Sequence, residues 1–244
     1  MSTDVERDPG GDRGRMNAAM QLAVMGVLTA LLITSISPTA AVKGDLLIKV
    51  LFVGRMVVLI ATATLLLRLS GLRWADVGLR QVKPLRFLLA IPIGLAAAYA
   101  VPIVGDVIVA KLGLQSQAVD YSFFRLIRGN LAAYLFLLIP VTWGTAAFGE
   151  EMLLRGFFLD ALQRLLDSRG PIATTIAVVA QAVIFGLLHL YQGPAGAAAA
   201  GAIGLVMGFV WWFSGRNLWA GIVLHGILDS IAMTGLYLGL IAPP

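Results

Sequence analysis

Seven apolar runs, each about as long as a helix needs to cross a bilayer or longer, constrain this chain more than any other feature. They lie at about Met16–Ile36, Leu46–Leu69, Leu85–Ala110, Leu131–Leu166, Pro171–Tyr191, Ala195–Phe213 and Leu218–Leu240. A bilayer's hydrocarbon core, roughly 30 Å thick, takes about 20 residues of α-helix. Backbone in lipid must satisfy its own hydrogen bonds, so runs of this length become helices rather than open strands. The expected fold is all-α, a polytopic transmembrane bundle of about 7–8 helices. Composition agrees: 59% of residues are hydrophobic and 13% charged, against about 25% charged in a soluble domain.

The organisation follows from what lies between the runs. Residues 1–15, polar and Gly-rich, read as a disordered tail. Residues 16–244 read as a single transmembrane domain, with a catalytic core at about 131–240. The stretch from Arg68 to Arg86 carries Arg73, Arg80 and Lys83 against the single acid Asp76. That excess places the loop, and with it the N-terminus, in the cytoplasm. The +5 net charge is therefore a topology signal, and no nucleic-acid partner is expected. The segment around Phe123, Phe124 and Arg125 reads as a short interfacial helix. Trp211, Trp212 and Trp219 read as interfacial belt residues. The 36 residues from Leu131 to Leu166 would span about 54 Å at 1.5 Å per residue, so this helix should project beyond the membrane.

With no cysteine in the chain, disulfides, thiolate metal sites and cysteine nucleophiles are excluded. Function must come from the few polar groups inside the spans, because ionisable residues there are costly and rare. Two of the three glutamates are Glu150 and Glu151, and both histidines, His189 and His225, belong to apolar runs. Glu151 and Arg155 stand at i,i+4 in the favourable acid-first order, which predicts an ion pair that reduces the cost of burying both. Glu150 is turned away from that face. Phe185 shares a helix face with His189, and His225 shares one with Asp229. The Asp167–Gly170 turn makes the flanking helices antiparallel. Glu150 stands about 17 residues before it and His189 about 19 after it, so the two come to similar depth.

A carboxylate and a histidine sharing one water can deprotonate it for attack on a carbonyl. A second histidine with an acid neighbour can stabilise the oxyanion that forms. The same four groups, Glu150, His189, His225 and Asp229, could alternatively hold a zinc ion with an open position. Both arrangements point to hydrolysis, most plausibly of a peptide bond. Haem ligation by two histidines leaves the glutamates without a role. An ion-coupled transporter would also use buried carboxylates, but the chain shows no internal repeat.

The motifs "EEMLLR", "FGLLH" and "HGILD", in that order on successive spans, resemble those of the CPBP family. This family comprises CAAX-prenyl endopeptidases and their bacteriocin-processing and immunity-associated bacterial relatives. The resemblance covers Glu150 to Asp229. It implies an intramembrane endopeptidase, of metalloprotease or glutamate type, in which Glu150 and His189 activate water while His225 and Asp229 stabilise the oxyanion or help hold a metal. Glu151, Arg155 and Phe185 would be supporting residues. Zinc or no cofactor at all are both compatible with it. It implies a membrane-associated peptide or protein substrate, the lipid bilayer as surroundings and a bacterial cell membrane as location. The alternative it carries is a non-proteolytic member of the same fold that binds a partner protein. Aspartate at 229 stands where the eukaryotic enzymes look more like asparagine.

Overall fold

The structure, a computed structural model, describes residues 9–34, 46–111 and 118–241. Seven helices among these residues are long and apolar enough to cross a membrane. They are α1 (Pro9–Thr34), α2 (Leu46–Leu69), α3 (Pro84–Lys111), α4 (Leu131–Leu165), α5 (Pro171–Leu188), α6 (Gly193–Phe213) and α7 (Leu218–Tyr237). The chain is an integral, multi-pass membrane protein with an all-α fold, and its bounds follow the apolar runs closely. Two differences stand at the N-terminus. Residues 9–15, expected within a disordered tail, form the first turns of α1, while residues 1–8 and the end of the first run at Ile36 lie outside the described residues.

Helix α4 is not uniform. An α-helical turn, Leu131–Phe136, leads into π-type winding over Leu137–Phe158 before Leu159–Leu165 resumes α geometry. Such i→i+5 winding is uncommon and recurs at functional sites; here it contains Glu150, Glu151 and Arg155. Asn130 caps the start, its Oδ1 accepting from the Ala133 N–H at 3.1 Å.

Small residues let α5 and α6 meet closely. A Cβ added at Gly186 would stand 2.7 Å from the Ala197 carbonyl oxygen, and one at Gly204 3.0 Å from Ala182 Cα. Association in lipid gains from such backbone approach, since no hydrophobic driving force separates helix from tail. Around this pair, Met152, Leu159, Ala177, Val178, Trp211, Leu218 and Ile222 form one core cluster. Trp211 is thus buried, and not an interfacial belt residue: its ring lies in the α4–α7 contact region, whereas Trp212 and Trp219 are exposed.

One end of the bundle is knitted by hydrogen bonds among three loops. The Leu218 N–H donates to the Gly78 carbonyl at 3.0 Å. Asn217 Nδ2 donates to the Arg80 and Gln81 carbonyls, and Arg216 Nη2 to the Arg169 carbonyl. Gly78 sits at φ +117°, and a Cβ there would meet the Arg216 carbonyl at 2.8 Å, so this junction requires glycine. At the opposite end, the 3-10 segment Ser122–Ile127 crosses the bundle. The Asp120 N–H donates to the Gln192 carbonyl, and the Gly129 N–H to the Tyr237 carbonyl, each at 3.1 Å. The expected interfacial helix is therefore also an internal one: Phe123 and Ile127 are buried against protein.

Candidate active site

Glu151 and Arg155 meet as their spacing predicts. Arg155 Nη1 donates to Glu151 Oε1 at 2.9 Å, with both side chains fully buried. Arg155 is held further by Nη2 donating to the Gly204 carbonyl at 3.3 Å and by the Phe185 ring, 4.9 Å from its guanidinium carbon. Gln181 Nε2 donates to the same carbonyl at 2.7 Å. The small-residue contact between α5 and α6 brings that oxygen within reach of both donors.

The pair does more than brace α4. Glu151 Oε1 also accepts from His225 Nδ1 at 3.2 Å, so the ion pair and the histidine of α7 form one network. Spacing within the EEMLLR motif predicts the Arg155 half of this network and not the His225 half. Gly221, one turn before His225, permits the approach: an added Cβ would stand 2.5 Å from Glu151 Oε2. With Nδ1 committed to Glu151, the other ring nitrogen of His225 faces two more carboxylates. Nε2 lies 3.5 Å from Asp229 Oδ2 and 4.0 Å from Glu150 Oε2.

His189 closes the far end of α5. Its Nδ1 donates to the Phe185 carbonyl at 2.8 Å, because a carbonyl oxygen can only accept. A neutral ring so bonded leaves Nε2 as an acceptor. Phe185 packs edge-on against both histidines, with ring centroids 4.5 Å from His189 and 6.1 Å from His225.

Glu150, His189, His225, Asp229 and Phe185 all line one cavity of about 240 Å³. Its remaining wall is largely apolar and aromatic, with Phe52, Phe123 and Phe124 on one side and Tyr121 and Tyr191 near the carboxylates. Glu150 Oε2 is buried and, among the described residues, has no hydrogen-bond partner. A buried acceptor in that condition costs free energy, and a water molecule seated against it would relieve the cost.

Four polar lining groups were not singled out by sequence reasoning: Tyr121, Thr142, Tyr191 and Gln192. Burial, with Asp229 facing it, pushes the Tyr121 phenol above its ordinary value, which keeps its hydroxyl a neutral donor. Nothing in the sequence distinguishes Tyr121 from an interfacial tyrosine; only the return of the Ser122–Ile127 segment over the cavity does. Lys49 was likewise passed over. It is buried on α2 with Nζ 4.1 Å from the Phe123 ring centroid, behind the cavity wall.

A zinc site was one of the two expectations. Among the described residues, no three of His, Asp and Glu converge as metal ligands. The Nδ1 bonds orient both rings, His225 toward Glu151 and His189 toward a backbone carbonyl. No step below is routed through a metal.

Comparison with known proteins agrees with the motif order. Residues 132–231 match the family model described as type II CAAX prenyl endopeptidase Rce1-like. That interval runs from the start of α4 to beyond Asp229 and so contains the whole constellation. The searches of curated proteins and of solved structures each return no match. Over residues 132–231 the chain is similar to the CPBP, or CAAX-protease, family.

Proposed function

We propose that the protein is an intramembrane endopeptidase that hydrolyses a peptide bond of a membrane-associated peptide or protein with a water activated by Glu150 and His189. The observation that carries this reading is Glu150 Oε2. It is buried, without a hydrogen-bond partner among the described residues, beside a cavity that also holds His189, His225 and Asp229.

In the proposed step, Glu150 takes a proton from water while the His189 Nε2 lone pair orients the other hydrogen. The hydroxide adds to the scissile carbonyl carbon, and the carbonyl π pair moves to oxygen. His225 donates from Nε2 to that oxyanion, with Glu151 fixing the ring through Nδ1. Charge stabilisation by donors fixed in advance in a dry site is commonly the largest contribution to such catalysis. As the tetrahedral intermediate collapses, the C–N bond breaks and the proton held by Glu150 passes to the leaving nitrogen. Asp229 positions His225 from the solvent side of the cavity. Tyr121 and Tyr191 are neutral donors near the same space, suited to the substrate backbone.

The test in cells is a comparison of membrane and exported proteomes with wild-type protein and with Glu150→Gln. A precursor that accumulates in the variant supports proteolysis. Identical proteomes would favour the alternative, a family member that binds a partner without cleaving it.

A further inference from the structure

The two ends of the bundle differ in charge, and the cavity belongs to only one of them. Helices α1, α3, α5 and α7 begin at the end where α2, α4 and α6 finish. Arg73, Arg80, Lys83, Arg86, Arg169 and Arg216 gather in the loops and helix ends there. Those loops are one structural unit, tied by Arg80 to the Gly215 carbonyl at 2.9 Å and by Arg216 to the Arg169 carbonyl at 2.6 Å. The α1 helix is anchored to the same end. Arg164 Nη2 donates to Gln21 Oε1 at 2.7 Å, and Arg15 lies 3.7 Å from Asp167. At the opposite end, the described segments carry Lys111, Arg125, Arg128 and the buried Lys49. Short loops rich in Lys and Arg stay in the cytoplasm, so the arginine-knit end is the cytoplasmic one.

The cavity lies in the other half. Its lining comes from the 119–124 segment, from His189 at the far end of α5, from Tyr191 and Gln192, and from the second half of α7. No residue of the arginine-bearing loops takes part. The bond from the Asp120 N–H to the Gln192 carbonyl joins two lining segments that both belong to the arginine-poor end.

We propose that this cavity faces the non-cytoplasmic side of the membrane, and that its substrate is an apolar segment of an exported, membrane-anchored polypeptide. The orientation stands on charge and geometry alone, while the substrate class also rests on the proteolytic reading above. The wall chemistry agrees with an apolar segment: Phe52, Phe123, Phe124 and Phe185 line it. A cytoplasmic protein carrying a lipidated C-terminus would meet the arginine-bearing end, where the cavity has no lining residue.

The absence of cysteine makes the orientation directly measurable. Leu240→Cys places a single thiol at an exposed position beyond α7, at the cavity end, and Ser168→Cys places one in an exposed loop at the arginine end. Cells expressing each full-length variant are treated with a membrane-impermeant maleimide before and after permeabilisation. The expected result is labelling of Leu240→Cys in intact cells and of Ser168→Cys only after permeabilisation. The reverse pattern, or equal labelling of both in intact cells, would overturn the orientation. A second arm presents one apolar, membrane-anchored reporter with its cleavable segment exported or retained. Cleavage of the exported form alone is expected, and cleavage of the retained form alone overturns the substrate class. Cleavage of neither, with labelling as expected, leaves the orientation standing and counts against the substrate class and the proteolytic reading together.

Discussion

His225 Nδ1 stands 3.2 Å from Glu151 Oε1, the oxygen that also receives Arg155 at 2.9 Å. One carboxylate oxygen therefore couples the ion pair of α4 to the histidine of α7, and the stability of the bundle to the geometry of the candidate site.

Breaking that coupling should injure both. Arg155→Met or Glu151→Ala leaves an uncompensated charge in a fully buried place, at a cost of about 3–5 kcal/mol. Thermal unfolding in detergent should show a lowered midpoint for each variant, and peptide cleavage should fall with it. Wild-type melting in both would contradict the ion-pair reading.

Glu150 should behave in the opposite way. Its Oε2 accepts no hydrogen bond from the described residues, so Glu150→Gln should melt like the wild type while cleavage drops by roughly 10²–10⁴-fold, the range of general-base catalysis. A parallel loss of folding would instead mark Glu150 as structural.

Backbone approach gives a sharper separation. Gly221→Ala puts a methyl 2.5 Å from Glu151 Oε2, whereas Gly54→Ala on α2 meets nothing within 4 Å. Overpacking of this kind costs about 1–3 kcal/mol. Cleavage and unfolding midpoint should both fall for Gly221→Ala and remain unchanged for Gly54→Ala, measured side by side.

Asp229 reaches His225 at 3.5 Å from a half-exposed position at the cavity. Asp229→Asn keeps an acceptor there and removes a negative charge from beside the developing oxyanion, so cleavage should persist. Asp229→Leu removes the acceptor and should abolish it. Steady-state cleavage of a fluorogenic peptide by the two variants decides the point.

Much of this arrangement was legible in the sequence, for identifiable reasons. Run length gave the spans, because the bilayer sets the length of a helix whatever its neighbours. The Glu151–Arg155 pair follows from spacing on one helix. The shared depth of Glu150 and His189 follows from the Asp167–Gly170 turn. What could not be read depends on lateral packing between helices distant in sequence. The Glu151–His225 bond needs α4 and α7 to approach at Gly221. Trp211 is buried because residues of α4, α5 and α7 pack around it. Tyr121 reaches the cavity because the Ser122–Ile127 segment folds back over it.

The central claim is that water held at Glu150 is the nucleophile. The direct measurement is cleavage of a membrane-peptide library by purified wild-type protein and by Glu150→Gln in ¹⁸O-labelled water, with the new termini read by mass spectrometry. The account predicts ¹⁸O in the new C-terminal carboxyl of products made by the wild type, and no such products from Glu150→Gln. Equal cleavage by the two proteins would contradict it.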